Sequence, residues 1–249
     1  PPGNHTLTVF DIEPARTHNL VALGACSASS IADAVAGADV VFTSLPGPKQ
    51  TDDAASTPDG LFATLSPGGA WIDLSTNNLE TCKRLSARAE TDELTFMDAP
   101  VSGADEGARA GTLTVLVGAE TETFERDKPP LEHIGKAINH VGPVGAGYSA
   151  NIAQVVLCCL HSLSLSEALM LGVSGGVEPK QMLGIIQSSS GRTYVADRYR
   201  PPIIAGDYDP SFTVGRARKD MQPAMEMAKH LGIKLPLCSL ATETYSRAV

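Results

Sequence analysis

The chain has 249 residues, of which 43% are hydrophobic and 19% charged, a composition typical of a soluble globular protein with one or two domains. Its formal net charge of −9 argues against binding to nucleic acid or to an anionic membrane surface, since both require clustered lysines and arginines. The five cysteines show no CxxC pattern and no metal-ligand spacing, which predicts reduced core residues, no metal site and a cytoplasmic location.

Short β-rich runs alternate with helical patterns over the first 145 residues. Such alternation predicts βαβ units and a mostly parallel sheet. Two helix starts support this prediction, because Ser30 precedes Asp33 and Asn77 precedes Glu80 at the spacing of a capping box. The predicted strands cover residues 6–10, 38–46, 69–76, 94–100, 113–118 and 137–141.

Asp11 directly follows the first predicted strand. At the end of the second strand of a doubly wound sheet, an acidic residue accepts hydrogen bonds from the adenosine ribose of NAD, and its charge rejects the extra phosphate of NADP. Asp11 therefore favours NAD without excluding NADP. An aspartate after a strand is also a common turn residue, so this feature alone leaves both interpretations open.

The sequence upstream of Asp11, PPGNHTLTVF, contains neither the first strand of a dinucleotide-binding fold nor its G-x-G-x-x-G turn. In the strand order of that fold the absent strand is central, and two edges would be left unpaired inside the protein without it. We therefore expect a further segment to precede Pro1. We also expect the structure to show either a gap between strands or a foreign segment that fills it.

The sequence pattern changes after GPVGAG at 142–147. Leucine, alanine, methionine and serine then recur at helical spacing, and alternation with a period of two is almost absent. We predict two domains, an N-terminally incomplete NAD(P)-binding domain at 1–145 and a helical substrate and oligomerisation domain at 146–249. The predicted helices of the second domain include residues 148–172, 180–186 and 219–231.

The longest apolar run, residues 152–173, is interrupted by Gln154, His161, Glu167 and several serines, which makes it a poor membrane span. We expect a buried helix of a soluble protein and no membrane partner. Because this run is longer than a domain of about 100 residues can easily cover by itself, it also predicts a homodimer or homotetramer.

The stretch DAPVSGADEGARAGTLTVLVG at 98–118 gathers several glycines between two predicted strands. Glycine inside a strand or helix costs roughly 0.5–1 kcal/mol relative to alanine. Such a concentration therefore indicates that the backbone comes close to something, either a ligand or a neighbouring strand.

With FTSLP, IDLST, GPVGAG and ARKD in the same order, this stretch resembles the β-hydroxyacid dehydrogenase family over essentially the whole chain. The resemblance implies an α/β fold, with a Rossmann-type doubly wound parallel sheet followed by an all-helical C-terminal domain. It also implies hydride transfer between NAD(P) and a small 3-hydroxy acid, such as 3-hydroxyisobutyrate, or its semialdehyde.

The resemblance further implies a set of site residues. Ser102, Gly103 and Ala104 stand where the family's Ser-Gly-Gly loop holds the substrate carboxylate, with alanine in place of the third glycine. Lys219 by itself could be an ordinary solvated helix residue, since most lysines are exposed, but its position in ARKD matches the family. The residues implied to contact the cofactor are Leu45, Pro46, Thr76, Phe212 and Lys219.

The family's catalytic lysine follows a G-x-G turn, with an asparagine four residues later, and these positions are Asn151 and Val155 here. A neutral amide can hold a hydroxyl but cannot take its proton, and losing general acid–base help costs about 10²- to 10⁴-fold in rate. Tyr148, one turn earlier, is a possible proton donor in the reductive direction. We discount His161, which lies about 15 Å further along the helix.

Asn151 is compatible with three interpretations: an introduced change in an active dehydrogenase, an imine-reductase-like enzyme, and a catalytically impaired cofactor-binding scaffold. The loop at Ser102 and Gly103 suits a carboxylate, which favours a hydroxyacid over an imine substrate. We therefore predict an NAD-preferring 3-hydroxyacid dehydrogenase that acts on a small carboxylate, with its activity in question at Asn151.

Overall fold

The computed structural model describes residues 5–207 and 213–249, except for the side chain of Arg200. Contacts divide the chain into two compact units, Pro1–Asn151 (unit 1) and Ile152–Val249 (unit 2). All strands of the described residues lie in unit 1, and they are β1 (Thr8–Val9), β2 (Cys26–Ser27), β3 (Val40–Thr43), β4 (Ala70–Asp73), β5 (Thr95–Asp98), β6 (Val101–Ser102), β7 (Leu113–Gly118) and β8 (Gly135–Gly142).

Helices connect these strands in unit 1 and form all of the regular structure described in unit 2. Unit 1 contains a 3-10 helix (Pro14–Thr17), α1 (His18–Ala22), α2 (Ile31–Val35), α3 (Pro48–Ser56), α4 (Leu61–Thr64), α5 (Leu79–Thr91), α6 (Ala104–Ala110) and α7 (Thr121–Leu131). Helix α8 (Ala146–Ser174) begins in unit 1 and continues into unit 2, which also holds α9 (Pro179–Ser188), α10 (Tyr194–Ala205), α11 (Val214–Leu231) and α12 (Pro236–Arg247).

The larger sheet contains β3 to β8 and is mixed rather than purely parallel. Strands β3, β4 and β5 are parallel and in register, so that Thr43, Asp73 and Asp98 end at the same edge. Strand β7 is antiparallel to both β5 and β6, and β8 is parallel to β7. The reversal follows from the single short helix between β6 and β7, since a parallel crossover needs a dozen or more residues.

Strands β1 and β2 form a separate two-stranded parallel sheet. Among the described residues it shares no strand pairing with the larger sheet, which is the gap expected from the sequence. Strand β2 was not predicted, because Cys26–Ser27 shows no apolar alternation. Cys26 is also exposed, so the expectation that every cysteine is a core residue was wrong there.

The larger sheet is covered on both faces, and every residue of β4 is buried. Alternate side chains point to opposite faces of a strand. Trp71 and Phe96 accordingly belong to one hydrophobic cluster, while Ile72 and Met97 belong to another. This two-sided core is what a Rossmann-type doubly wound sheet requires.

Side-chain caps begin both α2 and α5, one at the predicted residue and one at the residue after it. Ser30 caps α2, because its Oγ accepts a hydrogen bond from Asp33 N at 3.0 Å. The cap of α5 is Asn78, whose Oδ1 accepts from Thr81 N at 2.9 Å. The prediction of Asn77 as the cap was therefore wrong by one residue.

The first turn of α8 packs directly against the ends of β5 and β7. A Cβ on Gly147 would lie 2.4 Å from Leu116 O and 2.6 Å from Asp98 O, so only glycine permits this approach. The buried Asp98 carboxylate accepts hydrogen bonds from Gly145 N at 2.7 Å and Tyr148 N at 2.8 Å. These ties explain why the compact unit runs to Asn151, whereas the sequence placed the boundary after residue 145.

Unit 2 has two hydrophobic clusters, one around Met221 and Tyr245 and the other around Leu183 and Val195. The helices predicted at 148–172, 180–186 and 219–231 lie within α8, α9 and α11. Helices α10 and α12 were not predicted from the sequence.

Helix α8 is the one described helix that is long and apolar enough to cross a membrane by length and composition, with a window of mean hydropathy 1.7. Only 11% of that window is buried within the structure, so the expectation of a buried helix was wrong. Core helices of soluble proteins can be equally long and apolar. Part of α8 is such a core element, because its residues Ile152, Cys159 and Leu165 pack in the clusters of unit 2.

The buried Asp98 carboxyl predicts a pH dependence of stability. Burial raises its pKa to about 7, although the backbone N–H groups of Gly145 and Tyr148 favour the charged form. An ordinary carboxyl in the unfolded chain has a pKa near 3.9. Because the folded protein keeps its proton to higher pH, the free energy of unfolding should fall between about pH 4 and about pH 7, by up to about 1.4 kcal/mol per pH unit.

Urea unfolding followed by circular dichroism across this pH range measures the effect. Asp98→Asn should remove most of the fall, whereas Asp39→Asn, which changes an exposed aspartate, should keep it. Equal pH slopes in the unsubstituted protein and Asp98→Asn would contradict this account.

Candidate functional site

Polar side chains concentrate where β3, β4 and β5 end at one edge of the sheet. Thr43, Asp73 and Asp98 are the last residues of these strands. In open α/β sheets, ligands bind outside the carboxyl ends of the parallel strands. The loops that follow β3 and β4 carry Leu45 and Thr76, two of the predicted site residues.

The fully buried carboxylate of Asp73 organises this edge. A buried charge is tolerated only where hydrogen bonds satisfy it, and here donors surround both oxygens. They are Thr43 Oγ1 at 2.7 Å, Ser75 Oγ at 2.6 Å, Ser75 N at 3.2 Å, Asn77 Nδ2 at 3.1 Å and the hydroxyl of Tyr148.

Asn151 lies against the loop that follows β4. The residue is 2% exposed, and its Nδ2 donates a hydrogen bond to Thr76 Oγ1 at 3.2 Å. Leu45 belongs to the same edge, because its N–H donates to Ser75 Oγ at 2.8 Å, and Pro46 follows it at the surface. The structure thus brings Asn151, Thr76 and Leu45 to one edge of unit 1.

Tyr148 is buried in the core of unit 1, with 1% of its surface exposed. Its hydroxyl donates to Asp73, and burial and then the charge of Asp73 raise its pKa well above 10. This geometry contradicts the hypothesis that Tyr148 donates a proton directly to a substrate, because its hydroxyl is already engaged inside the protein. The sequence could not show which side of α8 faces the core.

The loop after β6 has an unusual backbone. Gly103 has φ +136, and a Cβ there would lie 3.1 Å from the Leu113 side chain. Ala104 also has a positive φ, at 52, a conformation that costs a non-glycine residue about 1–2 kcal/mol. Ser102 is half-buried and pairs with Thr114, whereas Gly103 and Ala104 are exposed.

The glycines of 98–118 therefore serve two purposes. Gly103 supplies a backbone conformation at an exposed loop, while Gly118 allows close packing, since a Cβ there would lie 2.3 Å from Asp98 Oδ1. The packing interpretation applies at Gly118, and the ligand interpretation stays a prediction at Gly103.

A second feature lies at the carboxyl ends of β1 and β2, where residues that follow β1, together with Ser27 and the residues after it, line an open cavity of about 480 Å³. Asp11 is half-buried there, and its Oδ1 accepts a hydrogen bond from Glu13 N at 2.8 Å. The cavity is lined by Asp11, Ile12 and Pro14 after β1, and by Ser27, Ala28 and Ser29 at β2.

The remaining predicted site residues belong to unit 2. Val155 is half-buried and packs against the cluster that contains Met221. Lys219 is exposed on α11, and Phe212 lies outside the described residues. In the part of the chain that the structure describes, no group of three or more His, Cys, Asp or Glu side chains could hold a metal ion.

Sequence reasoning missed Asp73, Ser75, Asn77 and Asp98. The available signal was an aspartate directly after a buried apolar run, in WIDLST and in FMDAP. Such an aspartate marks the carboxyl end of a strand, where ligand sites of α/β sheets occur. Their hydrogen-bond partners depend on the topology and could not be deduced locally.

Family models match both parts of the chain. The model described as the NAD binding domain of 6-phosphogluconate dehydrogenase matches residues 3–142. The model described as NAD-binding of NADP-dependent 3-hydroxyisobutyrate dehydrogenase matches residues 145–249.

Similar proteins cover almost the whole chain. NAD-dependent L-serine dehydrogenase of Pseudomonas aeruginosa is 36% identical over 250 residues, which cover 98% of this chain and 84% of the relative. 2-(Hydroxymethyl)glutarate dehydrogenase of Eubacterium barkeri is 35% identical over 241 residues, which cover 96% of this chain and 80% of the relative. The solved structure of Mycobacterium tuberculosis 3-hydroxyisobutyrate dehydrogenase with L-serine has a TM-score of 0.87 and 29% identity, and the match covers 98% of this chain and 85% of that one.

An imine reductase from Myxococcus stipitatus in complex with NADP+ is more distant, with a TM-score of 0.70 and 17% identity over 98% of this chain and 86% of that one. This likeness shows a shared fold alone. The family models and the relatives above 30% identity are more specific, and by them the chain belongs to the β-hydroxyacid dehydrogenase family, whose members are NAD(P)-dependent oxidoreductases.

Proposed function

We propose that this chain is an NAD-preferring dehydrogenase of small 3-hydroxy acids in which Asn151 holds the reacting oxygen but cannot take its proton. The observation that carries the proposal is the contact between Asn151 and Thr76 at the carboxyl edge of β3, β4 and β5. The names of the relatives support the substrate class, since serine, 2-(hydroxymethyl)glutarate and 3-hydroxyisobutyrate all carry a hydroxyl on the carbon β to a carboxylate.

The residues present fit the ribose and nicotinamide parts of a nicotinamide dinucleotide, whereas the G-x-G-x-x-G turn for its pyrophosphate is not in this sequence. Asp11 lines a cavity at the end of β1, where a carboxylate accepts hydrogen bonds from a ribose. Asn77 Oδ1, beside Thr76, is buried and has no hydrogen-bond partner among the described residues, as expected where a bound polar group completes a site. We assign Asp11, Leu45, Pro46 and Thr76 to the cofactor, and the cofactor contacts of Lys219 and Phe212 stay predictions.

A bound nicotinamide supplies the acceptor of the hydride in oxidation and its donor in reduction. Ser102, with the exposed backbone of Gly103 and Ala104, is assigned to the substrate carboxylate, and the substrate contact of Val155 stays a prediction. The Asn151 amide can donate to an oxygen and accept from a hydroxyl, but it takes up no proton near neutral pH. Deprotonation of the substrate hydroxyl is therefore unassisted by this residue, and slow turnover follows.

Replacing Asn151 by lysine tests the proposed function. Asn151→Lys should raise the single-turnover rate by about 100-fold, because it restores a general base. The measurement is NADH formation in stopped flow with 3-hydroxyisobutyrate, L-serine and related 3-hydroxy acids. Asn151→Gln lengthens the side chain without adding a base and should bring no gain. If NADH binds but every variant is inactive, the scaffold or imine hypothesis replaces this one.

The preference for NAD rests on the charge of Asp11 at its cavity. We expect the chain to bind NADH more tightly than NADPH, because the carboxylate repels a 2′-phosphate. Asp11→Ser should tighten NADPH binding by about tenfold, which corresponds to about 1.4 kcal/mol. Cofactor titration by fluorescence measures both dissociation constants. Asp59→Ser, which removes an exposed aspartate away from the cavity, should change neither, and equal affinities in the unsubstituted chain would refute the preference.

We also infer that a second copy of this chain covers the exposed apolar side of α8. Leu157 and Leu171, which lie within about 40° of each other round the helix, are 53% and 78% exposed. Monomeric soluble proteins rarely expose large contiguous apolar patches. The inference therefore predicts a homodimer or homotetramer, and the cytoplasmic location stays a prediction.

Light scattering after size exclusion tests this inference. The chain should elute as a dimer or tetramer, and Leu171→Glu should shift it towards the monomer, because a charge cannot be buried unpaired at such an interface. Glu167→Gln, an exposed polar change on the same helix, should leave the mass unchanged. A monomer at micromolar concentration contradicts the inference, and a need for detergent favours a membrane partner instead.

A further inference from the structure

The carboxylate of Asp73 fixes the loop that carries Thr76. Ser75 and Asn77 both donate to Asp73, and they flank Thr76 in the sequence. Ser75 Oγ also accepts the N–H of Leu45 at 2.8 Å. One buried group therefore sets the positions of two segments assigned to the cofactor.

Tyr148 brings the first turn of α8 into the same network. Its hydroxyl donates to Asp73, and its backbone N–H donates to Asp98. Asn151 follows three residues later on the neighbouring helical position, and it reaches Thr76. Thr76 is thus held through Asp73, while Asn151 is held through Tyr148.

Neither member of the pair is available to a substrate, because protein donors surround the Asp73 carboxylate and the Tyr148 hydroxyl donates to it. The ring of Tyr148 packs in the cluster that contains Trp71 and Cys82. The hydrogen bond between Tyr148 and Asp73 can therefore influence a reaction only through the residues that it positions.

We propose that Asp73 and Tyr148 form a positioning pair that sets the distance and orientation between Asn151 and Thr76. The proposal rests on the proposed function, in which those two residues meet the substrate and the cofactor. A displacement of about 1 Å at reacting groups can cost about 10²-fold in rate, so a small shift of the first turn of α8 has a measurable effect.

Two tyrosine variants separate positioning from general stability. Tyr148→Phe removes the hydroxyl bonded to Asp73, and Tyr245→Phe removes a buried hydroxyl that donates to Cys159 O at 2.8 Å in unit 2. Both lose one buried hydrogen bond and keep their rings. Tyr148→Phe should lower the single-turnover rate by about tenfold and leave the dissociation constant of NADH within about twofold, whereas Tyr245→Phe should change neither.

A double substitution tests whether the effect passes through Asn151. In an Asn151→Ala background the positioned side chain is gone, so adding Tyr148→Phe should lower the rate no further. A loss of the same factor in both backgrounds overturns the proposal, as does an equal loss of rate in the two single tyrosine variants.

Readouts that need no turnover keep the test independent of the substrate. Trp71, the single tryptophan, donates from Nε1 to Thr43 Oγ1 at 2.8 Å, and Thr43 donates to Asp73. Tyr148→Phe should shift the Trp71 emission and speed amide exchange at 145–151, and Tyr245→Phe should do neither.

These readouts distinguish the two possible failures. If no variant turns over any 3-hydroxy acid but only Tyr148→Phe shows both changes, the positioning pair stands and the substrate assignment fails. If Tyr148→Phe leaves emission and exchange as in the unsubstituted protein, the positioning proposal fails whatever the substrate is.

Discussion

Two buried carboxylates tie the first turn of α8 to the ends of β4 and β5. Asp98 accepts the backbone N–H groups of Gly145 and Tyr148, and Asp73 accepts the hydroxyl of Tyr148. Gly147 allows this turn to lie against the strand backbones, where any side chain would collide. Asn151 is placed beside Thr76 by these contacts, and the proposed chemistry depends on that placement.

Such a network is costly to bury and stable only when it is complete. A carboxylate without donors in the core is strongly unfavourable, whereas Asp73 meets donors from β3, from its own loop and from α8. Each donor also fixes the segment that carries it. The network therefore gives unit 1 a single arrangement of its loops, which a purely apolar contact would specify less strictly.

The sequence predicted those elements whose signal is local. The runs at β4, β5 and β7 are apolar and long enough to identify, while Cys26–Ser27 and Val101–Ser102 become strands only because partners lie beside them. The contact of Asp73 with Tyr148 joins residues 75 positions apart, so no local pattern contains it. Asn151 and Thr76 were named from a family resemblance, and Tyr148 was misassigned because the sequence leaves the buried side of α8 undefined.

The hydrogen bonds between α8 and the strands also affect how the chain folds while it is being synthesised. Residues 145–151 are synthesised after all the strands, so a chain that ends at β8 leaves Asp73 and Asp98 without the donors that Tyr148 and Gly145 provide. A nascent chain that stops after Gly142 has its strands but two incompletely satisfied carboxylates among them. Unit 1 is therefore completed by the start of a helix whose greater part belongs to unit 2, and the two units of the chain are joined by a folding requirement as well as by a peptide bond.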